Sequence, residues 1–284
     1  MSDELKASCF QLITHHSSLI THHFMNFLSL FRRQIQVARV SGITQVEQRA
    51  LLSAAEQAHI GRVYMVEEGL AAAIGAGVSV EDKKASGVVD IGGGTTNVAV
   101  VARGMIVYAQ AERVGSLDID DAIVDRLRRH HGLIIGVPTA ETLKKELGSA
   151  IEPVNPARAL NVKGRDVQTG APRAVEVTSE EVCIAAEGVV KRLSRVVNRA
   201  LGDLQPEVAS DIYDRGLILT GGGALLDGMV QFLQRETKLP THMPDEPRYA
   251  IVRGLSQLFD EPLLLRRVAR NDQSHLLDET AFEA

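Results

Sequence analysis

The chain has 284 residues, 45% of them hydrophobic and 24% charged, the balance of an ordinary globular protein with one or two cores. Its net charge of −5 argues against the basic stripe expected of a nucleic-acid binder. Two cysteines, Cys9 and Cys183, provide neither a disulfide framework nor zinc spacing, which suits a reducing cytoplasm.

Residues 1–36 contain a seven-residue echo, Leu12-Ile13-Thr14-His15-His16 and then Leu19-Ile20-Thr21-His22-His23. Its four histidines lack carboxylate or thiolate partners placed to complete a metal site. The apolar run 24–31, followed by Arg32 and Arg33, is too short to span a bilayer but could replace missing packing or touch a membrane surface. The segment also lacks the basic, apolar and small-residue order of a signal peptide. Thr44-Gln45-Val46-Glu47 is a capping box opening a helix to about residue 58. A strand is expected over 62–66, an alanine-rich helix over 68–76, and a charged linker with a domain boundary over 78–86. Apolar runs 86–90 and 98–102 flank a glycine turn and form a hairpin. Helices follow over 118–129 and 139–147, then a β-ribbon over 159–167 and 173–177 closed by Thr169-Gly170. The capping sequence Thr178-Ser179-Glu180-Glu181 opens a long helix to about 204, and Pro206 starts another. A strand at 216–220 precedes a helix over 224–237, and the polar tail 266–284 has little to bury and should be loose. Alternating strands and helices indicate an α/β architecture.

Two glycine-rich turns carry the chemistry. The first is Asp90-Ile91-Gly92-Gly93-Gly94-Thr95-Thr96-Asn97, and the second is Thr220-Gly221-Gly222-Gly223-Ala224-Leu225-Leu226. Adjacent glycines can take φ > 0 and approach another group with no Cβ in the way, and their N–H groups can converge on an anion. A P-loop would need Gly-x-x-x-x-Gly-Lys-Ser/Thr, which is lacking, and a dinucleotide fold opens a helix after its glycines, whereas a strand follows the first turn. Leu226 stands where the second turn would need a further glycine for that fold. In the hairpin the backbone N–H groups, with the Thr95 or Thr96 hydroxyl, would hold phosphate oxygens, and Asp90 would order Mg²⁺ through water. Alone, the segment also admits a lesser alternative, a glycine hairpin without a ligand. Behind the second turn, a helix start can face an anion or a nucleoside. Two such turns from distant segments imply one nucleotide site closed by the fold.

Residues 40–267 resemble the MreB/Mbl family of bacterial actin homologues, which set rod shape. The matching stretches are Ser41-Gly42-Ile43-Thr44-Gln45-Val46-Glu47-Gln48-Arg49-Ala50, Glu67-Glu68, Ala71-Ala72-Ala73-Ile74-Gly75-Ala76-Gly77, residues 88–97, Gly164-Arg165-Asp166, Asp214-Arg215-Gly216 and the second glycine turn. The resemblance implies the actin/Hsp70/hexokinase-like ATPase fold, ATP and Mg²⁺ as cofactors, and self-association into filaments. It further implies inner-membrane morphogenesis proteins as partners and a cytoplasmic location at the membrane surface. By position, Gly92, Gly93, Gly94 and Thr95 would form the second phosphate hairpin. Gly221, Gly222, Gly223 and Ala224 would lie against adenosine, with Leu225 and Leu226 continuing into the helix. Glu141, Thr142, Leu143 and Lys144 stand where the superfamily brackets adenine and ribose. Glu141 and Lys144, at i, i+3, share a helix face, which also suits a solvated ion pair. Glu68 stands where the family orients the attacking water, and Asp90 where it acts near the metal. The chemistry implied is in-line phosphoryl transfer to water with Glu68 as a weak general base. Glu67 and Glu68 equally suit acidic residues at a helix start.

On this resemblance, residues 37–85 form a remnant of the first subdomain, 86–114 with 188–255 the nucleotide-binding subdomain, and 115–187 an inserted small subdomain. Residues 256–284 form a C-terminal helix and tail. The family's first phosphate hairpin, an Asp-x-Gly-Thr turn, has no counterpart before residue 40, and residues 1–36 match nothing in the family. A truncated reading frame with a non-homologous start is therefore expected. Loss of several charge-assisted hydrogen bonds, each worth about 1.5–3 kcal/mol, should weaken ATP binding and leave hydrolysis poor. Gly69 stands where the family usually has proline, and Gly115-Ser116-Leu117 where it has Gly-Gly-Asp. Three functions follow: an ATP-dependent filament protein, an inactive fragment acting as an interaction module, or a small-molecule kinase of the same superfamily.

Overall fold

The computed structural model describes residues 34–39, 43–58, 60, 62–79 and 81–271. The histidine echo, the apolar run 24–31 and the tail beyond 271 lie outside the described residues.

Strand β1 (Gln34–Arg39) pairs in parallel with β2 (Arg62–Glu67), and α1 (Gln45–Gln57) crosses between them, as parallel pairing requires. No element was expected at 34–39, although Ile35 and Val37 alternate there with polar residues as in a strand. The Thr44 capping box is made: the Glu47 N–H donates to Thr44 Oγ1 at 3.2 Å, and Glu47 Oε2 accepts the Thr44 N–H at 2.9 Å. Helix α2 (Glu68–Gly75) leaves β2 with no loop and is buried from Gly69 to its end.

The chain then runs β3 (Ser86–Ile91), β4 (Thr96–Ala102), β5 (Met105–Glu112), α3 (Ser116–His131), β6 (Leu133–Ile134) and α4 (Val137–Leu147). Next come β7 (Ala159–Asp166), β8 (Pro172–Thr178), α5 (Ser179–Gly202), α6 (Pro206–Arg215) and β9 (Leu217–Thr220). After a 3₁₀ turn (Gly222–Leu225) follow α7 (Met229–Thr237), β10 (Thr241–His242), a second 3₁₀ turn (Pro247–Tyr249), α8 (Ala250–Asp260) and α9 (Pro262–Asn271). Strands β5 and β6 were not expected from sequence; the other strands and helices from β3 to α6 fall where their patterns place them.

The main sheet has the order β10-β9-β3-β4-β5, and β6, β7 and β8 form a separate antiparallel ribbon sheet. Both faces of the main sheet are covered, which explains the continuous apolar runs of β3 and β4. Val88, Val101 and Ile218 pack with Leu70, Ala73, Leu255 and Leu258 on one side. Val89, Val98, Val100, Leu217 and Leu219 pack with Ile119, Leu143, Leu193 and Phe232 on the other.

Two expectations need correction. The helix over 224–237 is interrupted, because Gly228 takes φ +69° and the Asp227 carbonyl accepts the Ala150 N–H at 2.7 Å instead of continuing a helix. The tail does not loosen at residue 266, since α9 runs to Asn271 and buries Leu265 and Val268.

Helices α2 and α8 cross so closely that a Cβ on Gly75 would collide with the Ala250 carbonyl, and one on Gly254 with the Ala71 carbonyl. Gly254→Val should therefore lower unfolding stability in urea by about 1–3 kcal/mol or more. Gly222→Ala, at a position where a Cβ meets nothing within 4 Å, should change it little. Equal stabilities for both variants would contradict this crossing.

Candidate functional site

Strands β3 and β9 are parallel neighbours with Asp90 opposite Thr220, so both glycine turns leave the sheet at the carboxyl ends of adjacent strands. Open α/β sheets bind ligands at such ends. Thr220 Oγ1 donates to Asp90 Oδ1 at 2.8 Å, with both residues buried. Gly221 has φ +87°, and a Cβ on it would collide with the Ile91 carbonyl. A Cβ on Gly223 would collide with the Ile91 side chain. The absence of those two side chains lets the second turn close on the first.

The first turn works differently from the expectation of left-handed glycines. None of Gly92, Gly93 and Gly94 has positive φ. The Gly92 N–H donates to the Thr95 carbonyl at 2.8 Å, while the Gly92 and Gly93 carbonyls accept the Ser116 and Leu117 N–H groups at 3.0 and 2.8 Å. With its carbonyls engaged by the start of α3, the turn leaves the Gly93 and Gly94 N–H groups without a hydrogen-bond acceptor among the described residues. A Cβ on Gly94 or Gly222 would meet nothing within 4 Å, so both turns border open space. Thr96 is a correction: its hydroxyl is buried and donates to the Val114 carbonyl at 2.8 Å, so only Thr95 keeps a hydroxyl for a ligand. Gly222 and Leu225 are exposed, whereas Ala224 packs in the main core.

Glu68 is the first residue of α2. Gly69 behind it lies flush on β4, where a Cβ would collide with that of Ala99, and this contact carries Glu68 to Asn97. Asn97 Nδ2 donates to Glu68 Oε2 at 2.7 Å, and Asn97 stands across the hairpin from Asp90. Burial, and then the nearby Asp90 carboxylate, push Glu68 up to about 7 against the Asn97 bond, which lowers it. Burial raises Asp90 as well, opposed by the Thr220 hydroxyl. Asn97 Oδ1 is buried with no partner, an acceptor suited to a water or a hydrated cation. Among the described residues no three His, Cys, Asp or Glu converge on a metal. The oxygens of Asp90 and the unpartnered Asn97 Oδ1 would fit a cation held through water rather than by direct ligation. Asn97 and Thr220 were missed in the sequence, although the hairpin register and the residue before the second turn both pointed to them.

The segment at 141–144 is less simple. Glu141 pairs with Lys145 at 2.6 Å rather than with Lys144. The Thr142 hydroxyl donates to the Pro138 carbonyl at 2.9 Å. Leu143 is a core residue, so its side chain is unavailable to a ligand. Lys144 Nζ donates to Asp120 Oδ2 at 2.7 Å and to the Ser116 carbonyl at 3.0 Å. Leu117, 48% exposed, leans on the first turn, with its Cδ1 3.4 Å from where a Gly93 Cβ would stand.

The proton on Glu68 has a measurable consequence. A carboxyl raised from 4.5 to about 7 contributes stability that is complete below pH 4.5 and lost as the pH rises through about 7. Thermal midpoints should therefore fall more steeply across that window in the wild type than in Glu68→Gln, which keeps Asp90. Parallel pH profiles would contradict the buried position of Glu68.

Comparison with known proteins places this geometry in a family. A family model described as MreB/Mbl protein matches residues 11–266, reaching further toward the N-terminus than the resemblance read from the sequence. The cell shape-determining protein MreB of Pasteurella multocida (strain Pm70) is 42% identical over 233 residues, which cover 82% of this chain and 66% of that protein. The chain thus spans just under two-thirds of that relative's length. The crystal structure of MreB5 of Spiroplasma citri bound to ADP superposes with a TM-score of 0.82 at 28% identity, covering 92% of this chain and 77% of that one. A MamK double helical filament shares the fold at a TM-score of 0.69 and 19% identity, over 92% of this chain and 77% of that one. The paired glycine turns on adjacent parallel strands are thus those of an actin-like ATPase fold, and the chain belongs to the MreB/Mbl family.

Proposed function

We propose that this chain binds ATP with Mg²⁺ between its two glycine turns and, as an actin-like shape-determining protein, self-associates into filaments at the cytoplasmic membrane surface with inner-membrane morphogenesis proteins. The observation that carries the reading is the Asp90–Thr220 hydrogen bond, which joins both turns beside two free backbone donors. The ADP-bound MreB5 structure supports a nucleotide ligand, and the MamK filament supports self-association. Among the described residues no helix is long and apolar enough to cross a membrane.

In this reading the Gly93 and Gly94 N–H groups, with the Thr95 hydroxyl, bind phosphate oxygens. Gly221, Gly222 and Gly223 bring backbone against the nucleoside. Mg²⁺ bound near Asp90 would offset the charge that develops on the phosphates. Glu68, oriented by Asn97 and close to half ionised near neutral pH, takes a proton from the attacking water as a weak general base. A second reading, an interaction module with little turnover, is favoured by Leu117, whose aliphatic side chain leans on the phosphate turn.

The test uses the full chain with Mg²⁺. ATP should bind, sedimentation should show ATP-dependent pelleting, and Glu68→Gln should keep ATP binding while reducing hydrolysis by about 10²-fold or more. Binding and pelleting without turnover would select the second reading. Absence of ATP binding by the wild-type chain would refute the proposal.

A further inference from the structure

Asp120 touches neither glycine turn, yet a line of hydrogen bonds joins it to the first. It lies on α3, 1% exposed, and Lys144 of α4 is its hydrogen-bond partner at 2.7 Å. The same ammonium donates to the carbonyl of Ser116, the first residue of α3, at 3.0 Å. Ser116 and Leu117 in turn donate their N–H groups to the carbonyls of Gly92 and Gly93. Between them and β5, Gly115 approaches so closely that a Cβ would collide with the Gly93 carbonyl. The path from Asp120 to the turn is therefore short, direct and tightly packed.

The placement of Asp120 is costly. Its Oδ1 is buried without a partner, and burial raises its pKa against the pull of Lys144. A buried carboxylate with one oxygen unpaired contributes little to stability by itself. Its effect falls on Lys144, a flexible side chain that has three donors and few reasons to hold one rotamer. Fixed by Asp120, the ammonium pins the Ser116 carbonyl and with it the start of α3.

We propose that Asp120 is a positioning residue for phosphate recognition. By fixing Lys144 it fixes the first turn of α3, whose Ser116 and Leu117 amides draw the Gly92 and Gly93 carbonyls aside and leave the Gly93 and Gly94 amides free for a phosphate. The inference rests on the ATP reading above and deepens it, since it names the phosphates, rather than the nucleoside, as the part of the ligand on which Asp120 acts.

The test compares wild-type chain with Asp120→Asn in binding Mg²⁺-ATP and adenosine, alongside amide hydrogen exchange without nucleotide. Asp120→Asn should lose about tenfold or more in ATP affinity while adenosine affinity stays within about twofold. Exchange at Ser116 and Leu117 should quicken in Asp120→Asn, and likewise in Lys144→Met, while amides of β3 and β9 keep their wild-type rates. Equal losses for ATP and adenosine would reveal a purely structural residue and overturn the inference, as would unchanged exchange at Ser116 and Leu117. Failure of wild-type chain to bind ATP would instead sink the nucleotide reading, a result separable because the exchange measurement needs no ligand.

Discussion

Two parallel strands end side by side, and at that end a threonine hydroxyl meets an aspartate that has been taken out of water. Asp90 and Thr220 are 5% and 0% exposed, so neither has bulk solvent to fall back on. Removing the hydroxyl would leave a buried carboxylate short of a hydrogen bond, a penalty larger than the bond's own net worth. The pairing is a matter of register. A slip of one residue between β3 and β9 would turn Asp90 to the opposite face and carry the second glycine turn away from Ile91. The crevice between the two turns therefore depends on strand pairing as much as on glycine.

From that fixed point the electrostatics follow. Glu68 is drawn to Asn97 by the flush contact of Gly69 on Ala99, and it meets there a second carboxylate in a desolvated corner. Burial first, and then the neighbouring Asp90 carboxylate, disfavour its ionised form and push Glu68 up to about 7. The amide of Asn97 favours the ionised form and points one lone pair of Glu68 in a set direction. A carboxylate poised near neutrality and held by a neighbour suits proton transfer from water better than one with an ordinary pKa.

Much of this was legible in the residues. The capping sequences at Thr44 and Thr178 act locally, through hydrogen bonds to residues three positions on, so sequence spacing alone identifies them. The apolar runs of β3 and β4 and the paired glycines were equally direct, and kinship with a family gave the fold around them. What stayed hidden depends on contacts between distant segments. The break at Gly228 arises from residues 149–151 packing against it. Thr96 looked like a ligand group until the Val114 carbonyl claimed its hydroxyl. Leu143 and Lys144 are neighbours in sequence, but the helix sends one into the core and the other to Asp120. Asn97 was visible within the motif, yet its role requires knowing that α2 ends up beside β4.

The central claim is that Gly93 and Gly222, far apart in the chain, border a single ligand. Their backbone amide resonances, followed by NMR while Mg²⁺-ATP is titrated into the isotopically labelled full chain, test this most directly. Both signals should move together and fit one dissociation constant. Movement of one signal while the other stays still at saturation would contradict a shared crevice.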